Sequence, residues 1–176
     1  MKNVYLLFIA ICICLSACKK DEFGNKVDAS YQKWTAFKSS NNNSYTYTVY
    51  SSSIFGGFAE TKFTVKNGKI TTREYLSGYY KTPSDSLTVR ASWTENESTL
   101  NTHGTAGHEL LTIDEIYNKA KTVWLKVDPK ENAIYFEANN DGLISTAGYV
   151  PNGCQDDCFN GVDIKDIKPL VNAPSF

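Results

Sequence analysis

Cys154 and Cys158 stand four positions apart in the run Cys154-Gln155-Asp156-Asp157-Cys158, and their thiols are the side chains whose chemistry is easiest to state. In an oxidising compartment an isolated pair at this spacing most simply forms a disulfide that closes a tight loop. Closure of so short a loop stabilises by about 2 kcal/mol in the chain-entropy description. A redox-active pair and a thiolate metal site are the alternatives. The spacing is not the Cys-x-x-Cys of thioredoxin-like catalysts, and no helix follows that could lower a thiol pKa. His103 and His108 are the only histidines. His108-Glu109-Leu110-Leu111-Thr112 lacks one ligand of a zincin helix, with Thr112 where the second histidine belongs, and a catalytic zinc needs three protein ligands. Both histidines together with Cys154 and Cys158 are the one zinc combination left; the plainer reading is two loop histidines and no metal.

Asn139, Asn140, Asp141, Asp156 and Asp157 could offer oxygens to calcium, but they do not follow EF-hand spacing, and Asn-Asp-Gly is ordinary turn chemistry. Glu95 and Glu97 could serve a glycosidase as paired carboxylates, although neighbours two apart in sequence say nothing of their separation in space. Neither a Gly-x-Ser-x-Gly elbow nor a dinucleotide fingerprint occurs, and Gly104-Thr105-Ala106-Gly107 lacks the lysine of a phosphate-cradling loop. The residues name no catalytic set and no cofactor, so a protein that is not an enzyme is the leading expectation.

The remaining chemistry-bearing cysteine sets the compartment. Leu15-Ser16-Ala17-Cys18 follows Lys2 and an apolar run from Val4 to Leu15 of about 12 residues, too short to cross roughly 30 Å of hydrocarbon. The stretch resembles the lipobox of a bacterial lipoprotein signal, with small residues that thread a peptidase and a thiol at Cys18 that can carry diacylglycerol or palmitate. Residues 1–17 are then a removed signal peptide, 18–28 a lipidated tether and 29–176 one domain. Cys12 and Cys14 leave with the signal, so Cys154 and Cys158 remain the only thiols.

Composition agrees with a tethered domain. Removing 17 of the 176 residues leaves 159, enough for one core. The formal net charge moves from −1 to −2 as Lys2 is lost, and no basic cluster is present, which argues against a nucleic-acid partner. Membrane attachment must come from the lipid rather than from a polybasic face. Eleven Tyr, nine Phe and three Trp suit half-buried strands. Lys19 at the position after the lipidated cysteine is not the Asp of inner-membrane retention, so the expected location is the outer membrane of a Gram-negative envelope, on its periplasmic face or at the cell surface. The basic-then-acidic run from Lys19 to Glu22 also resembles a surface-export tag. About 10 linker residues reach roughly 35 Å when taut.

The elements that position these residues follow from periodicity. Tyr31, Trp34 and Phe37 predict a short helix from Asp28, capped by Asp28 or Ser30, to about Ser39, ended by Asn41-Asn42-Asn43. Tyr45, Tyr47 and Val49 alternate along a strand that Ile54-Phe55-Gly56-Gly57 breaks. Asn67-Gly68 predicts a type I′ hairpin. Pairing outward from it sets Val65 against Ile70, Phe63 against Thr72 and Thr61 against Glu74, with Glu60, Lys62 and Arg73 on the polar face. Residues 78–86 read as loop, where Asp85-Ser86-Leu87 resembles an O-glycan acceptor or is simply a turn, and Leu87 to Trp93 as strand. Glu95 to Gly107, polar and Gly-bearing, predicts a long mobile loop. Thr112 and Glu115 form a capping box for the main helix, whose stripe Ile113, Ile116, Tyr117, Ala120, Val123, Trp124 and Val127 runs to Asp128-Pro129. Strands at 133–138, 143–150 and 159–167 complete the chain. The fold class is thus α+β: an antiparallel sheet of five to seven strands with one main amphipathic helix, about 112–127, and a short N-terminal helix packed on it.

The order Tyr31-x-x-Trp34, Asn43-Ser44-Tyr45-Thr46-Tyr47, the Asn67-Gly68 hairpin and Thr112-Ile113-Asp114-Glu115-Ile116-Tyr117 resembles a family of bacterial lipoproteins known as domain-of-unknown-function family 6174. Val127-Asp128-Pro129, Asp141-Gly142, Asp156-Asp157 and a last strand ending at Pro169 extend the likeness over most of residues 30–170. The chain departs in Gly142-Leu143-Ile144, where the family has Gly-Tyr-Pro, and in Cys154 and Cys158. The resemblance implies a small secreted α+β domain and supplies no activity. The expected function is a membrane-anchored envelope lipoprotein acting as a binding module for an envelope protein partner; hydrolysis of envelope glycans or peptides and small-ligand or calcium binding are the alternatives.

Overall fold

Asn67 and Gly68 both take positive φ, 49° and 78°, as the hairpin needs. The computed structural model describes residues 23–53, 55–81 and 86–170; Cys18, the signal segment, Ile54 and Asp85 lie outside them. Around the hairpin the chain runs α1 (Gly24–Ser40), β1 (Tyr45–Ser52), β2 (Gly57–Lys66), β3 (Lys69–Lys81), β4 (Ser86–Asn96), α2 (Ile113–Thr122), a 3-10 turn (Trp124–Lys126), β5 (Asn132–Glu137), β6 (Thr146–Pro151) and β7 (Asn160–Pro169). The seven strands form one antiparallel sheet in the order β4-β3-β2-β1-β7-β6-β5. Fold class is as the periodicity implies: α+β, with two helices on a seven-stranded sheet.

One face of the sheet holds the core. Tyr45, Tyr47 and Val49 of β1 meet Phe63 and Val65 of β2, all below a tenth exposed, and α2 lays Ile113, Ile116, Tyr117 and Ala120 over them. Two strand tyrosines also hold the entry to α2: Tyr47 donates to the Leu111 carbonyl, and the Tyr45 hydroxyl accepts from the Ile113 N–H at 3.1 Å. The Thr112–Glu115 capping box is formed in both directions.

The helices differ from expectation in length. α1 has 17 residues and starts at Gly24, so Asp28 and Ser30 lie inside it rather than capping it, and residues 24–28, expected to be part of a tether, are helical. Phe23 and Val27, one turn apart, extend the stripe of Tyr31, Trp34 and Phe37; Val27 is buried and Phe23 packs against the core. Ser30 is buried too, with its hydroxyl 2.6 Å from that of Tyr117. The main helix is shorter than 112–127 because Val123, at φ −123° and ψ −69°, interrupts it; Val123 is half exposed, while the tighter turn that follows buries Trp124. β3 runs on to Lys81 where a loop was expected, and β4 opens at Ser86.

The hairpin register departs after its first pairs. Val65 faces Ile70 as expected, but the ladder then shifts, Thr71 is the extra residue, and Phe63 faces Arg73 rather than Thr72. A one-residue bulge turns every following side chain to the opposite face. Arg73 is therefore in the core, 1 % exposed, and Lys62 pairs instead with Glu74 at 3.5 Å on the solvent face.

Candidate functional site

Arg73 meets Glu95 of β4 through two parallel bonds, Nε to Oε2 at 2.9 Å and Nη2 to Oε1 at 3.0 Å. Both side chains are enclosed, at 1 % and 0 % exposure. A buried carboxylate needs its remaining lone pairs satisfied, and the segment after β4 supplies them. Asn101 and His103 donate backbone N–H groups to Glu95 at 2.8 Å each, Thr102 adds its hydroxyl at 3.3 Å, and the His103 ring places Nδ1 at 3.0 Å. In return Arg73 donates to the carbonyls of Gly104 and His108. The stretch from Glu95 to Gly107, expected to be a mobile loop, instead completes β4 with its first two residues and is then wound around an ion pair. Trp93 roofs the pair: its ring lies 4.9 Å from the Arg73 guanidinium carbon, 5.1 Å from Tyr75 and 4.2 Å from the parallel, stacked His103 ring.

Burial raises the Glu95 pKa, but the His103 N–H, the Arg73 guanidinium and the Asn101 N–H outweigh it and bring the value down to about 2. A carboxylate lowered on folding contributes stability that is complete above its unfolded value near 4.5 and is lost as pH falls through about 2. The urea midpoint of the protein is therefore expected to decline between about pH 4.5 and pH 2. Glu95→Gln should flatten that decline, and a variant with the wild-type slope would exclude Glu95 as its source.

The anchored segment walls a groove. Beyond α2 the core face of the sheet drops to small residues, Ser51, Ala59 and Ser77 in adjacent paired positions. A cavity of about 860 Å³ opens there, with Gly107 and His108 on one side, Asp157 and Phe159 on the other, and Thr61 and Tyr75 towards the core. Cys154 and Cys158 form the disulfide that closes the second wall, with Cα atoms 6.2 Å apart. Phe159 is seated over Gly148 and Gly161, a facing pair on β6 and β7. A Cβ on Gly161 would strike the Ala147 carbonyl and the Gly148 backbone, so only glycine lets the two strands and the ring approach this closely.

The sequence candidates divide between the two walls. His108 lines the groove, held by its N–H to Thr61 Oγ1 at 2.9 Å; its Nδ1 lies 3.2 Å from the Glu109 carbonyl, and burial pulls its pKa below the usual histidine value. His103 is on the far side of its loop, stacked on Trp93. Among the described residues no three His, Cys, Asp or Glu side chains converge as a metal ion would need. Glu95 is enclosed and engaged while Glu97 is exposed, so they do not face one solvent space as a glycosidase pair would. Asp141 and Gly142 make a turn at φ 53° and 86°.

Comparison with protein-family models, curated proteins and solved structures finds no match in any of the three. The Arg73–Glu95 centre escaped sequence reasoning because it depends on the Thr71 bulge. Its one trace in the sequence is an arginine in mid-strand with a glutamate ahead of a glycine-bearing polar loop.

Proposed function

We propose that the mature protein is a binding module of the bacterial cell envelope, held to the outer membrane by a lipid on Cys18 and presenting the groove to an envelope partner. The resemblance to the lipoproteins of domain-of-unknown-function family 6174 supports the lipid anchor and the small secreted domain, and supplies no activity. The observation that carries the reading is the groove itself. At about 860 Å³ it has the size of a ligand site, and each wall is fixed by its own crosslink, the Glu95 centre on one side and the Cys154–Cys158 disulfide on the other. Walls fixed in advance lower the ordering cost of binding.

The tether is short. Only six Cα steps separate Cys18 from the first helical residue, Gly24, a reach of at most roughly 20 Å. A partner therefore meets the domain within about one domain diameter of the bilayer. Cys18→Ser is expected to abolish palmitate labelling, and a variant that still labels would remove the tether from the reading. A photo-crosslinking residue at Ser77, on the groove floor, should give at least fivefold more envelope adduct than one at Glu115, exposed on α2. Equal yields would reject the groove as the contact surface. Hydrolysis of envelope glycans or peptides that vanishes with His108→Ala would replace binding by catalysis.

A further inference from the structure

β1 and β7 part company within the sheet. Their ladder runs from Tyr45–Pro169 through a bulge at Lys165 to Val49–Ile164 and stops there, although β1 continues to Ser52 and β7 begins at Asn160. Past the bulge β1 stays paired with β2 as far as Ser52–Phe58, and β7 pairs with β6 from Thr146–Asp163 to Tyr149–Asn160. A wedge is left between two strands, each with one backbone edge facing into it.

The alternation of antiparallel bonding identifies the groups on those edges. The Ser53 N–H bonds the Gly57 carbonyl towards β2, so Ser51 also points that way and Tyr50 and Ser52 point at β7. On the other strand the Ile164 N–H bonds the Ser145 carbonyl towards β6, so Val162 does the same and Asp163 and Gly161 point at β1. Because Val49 and Ile164 bond outward, their pair is closed by the Tyr50 N–H on the Asp163 carbonyl; beyond it the Tyr50 carbonyl, the Asp163 N–H and the backbone groups of Ser52 and Gly161 converge on one gap, and such groups are strong, obligatory hydrogen-bonding partners. The gap is open on both faces. The groove of about 860 Å³ and a second cavity of about 430 Å³ on the helix-free face share Tyr50, Phe58 and Asp163 as lining.

We infer that this wedge receives an extended polypeptide segment, added as a strand beside the free edges of β1 and β7, with an alternating apolar and basic pattern. The inference rests on the binding reading above and names its partner class. Main-chain pairing of this kind gives affinity, and pockets for alternate side chains give selectivity. The three to four residues along the wedge span about 10–13 Å at strand rise. Tyr50, Phe58 and Tyr80 stack at the outer mouth, with centroids 6.5 and 5.5 Å apart, and Phe159 lies at the inner one, which provides for apolar side chains. Asp157, Asp163, Glu60 and Glu137 line the two cavities. The cations beside them are committed, Lys165 to Glu60 at 2.5 Å and Arg90 over the Tyr79 ring. With Glu60 taken by Lys165, Asp157, Asp163 and Glu137 still outnumber Arg90, and that acidic surplus selects a lysine or arginine on the incoming strand.

The test uses the mature full chain with the probe pentapeptide Thr-Val-Lys-Val-Thr, its glutamate counterpart, and a chitotetraose. The lysine peptide is expected to slow amide exchange of Ser52, Gly161 and Asp163 at least tenfold and to bind at least tenfold more tightly than the glutamate peptide. Ser52→Pro removes an edge N–H not used by β2, so it should cut peptide affinity at least tenfold while leaving the urea midpoint in place. Peptide binding untouched by Ser52→Pro would overturn strand addition, as would protection of these amides by self-association or by the chain's own residues 171–176. Protection by chitotetraose alone would also overturn it while leaving the binding module intact. No response to peptide or saccharide would remove the groove-binding reading as well.

Discussion

Arg73→Leu is expected to lower the free energy of unfolding by about 3–5 kcal/mol, the cost of leaving a buried carboxylate without its partner. Glu95 would keep its backbone donors from Asn101 and His103 but lose both guanidinium bonds and the cation beneath Trp93. The double variant Arg73→Leu/Glu95→Leu separates charge from packing. Removing both charges leaves no uncompensated ion, so it should be more stable than Arg73→Leu alone even though it contains that substitution. Chemical denaturation of the two variants decides it. An Arg73→Leu protein within 1 kcal/mol of wild type would mean that the centre is not closed to water as its enclosure implies.

Trp34→Ala is the second large loss, about 3–5 kcal/mol for a buried tryptophan truncated to a methyl group. Trp34 has no exposed surface. It stacks on Phe37 at 5.7 Å and meets the edge of Tyr45 at 4.9 Å, and its Nε1 donates to Asp114 Oδ1 at 3.1 Å. Asp114 is held by Lys38 of α1 as well, at 2.7 Å, so one carboxylate on α2 collects two contacts from α1. Trp34→Phe keeps most of the ring contact and forfeits the N–H, and is expected to cost about 1 kcal/mol. If the two variants denature at the same urea concentration, the packing account of the α1 contact fails.

What the sequence discloses here is local and periodic. Asn67-Gly68 gives a hairpin because the turn demands positive φ at both positions, and Thr112 with Glu115 gives a helix start because two backbone donors must be satisfied there. The alternation of Tyr45, Tyr47 and Val49 marks the buried face of β1 directly. What stays hidden depends on partners distant in sequence. Thr71 carries no sign that it will be the extra residue of a bulge, yet that one residue moves Arg73 from solvent into the core. The polar composition of 95–107 reads as mobility until a buried carboxylate is known to collect its amides. The charged run ahead of Phe23 hides the true start of α1, because Val27 is recognisable as core only once the surface it touches exists. The groove combines the first two effects: its floor is a set of small alternating residues, whereas one wall comes from the register shift with the anchored loop and the other from a disulfide-closed turn.

α1 has one further property of consequence. Its links to the rest of the domain run through side chains, among them Ser30 to Tyr117, Trp34 and Lys38 to Asp114, and Asp28 to Lys121, while the sheet is bound strand to strand by backbone ladders. Tension entering at residue 23 would load those side-chain links one after another, whereas the ladders would have to fail together. Under a pull from its N-terminal end α1 is therefore expected to peel away before the seven strands part, a separate first step that force spectroscopy would read.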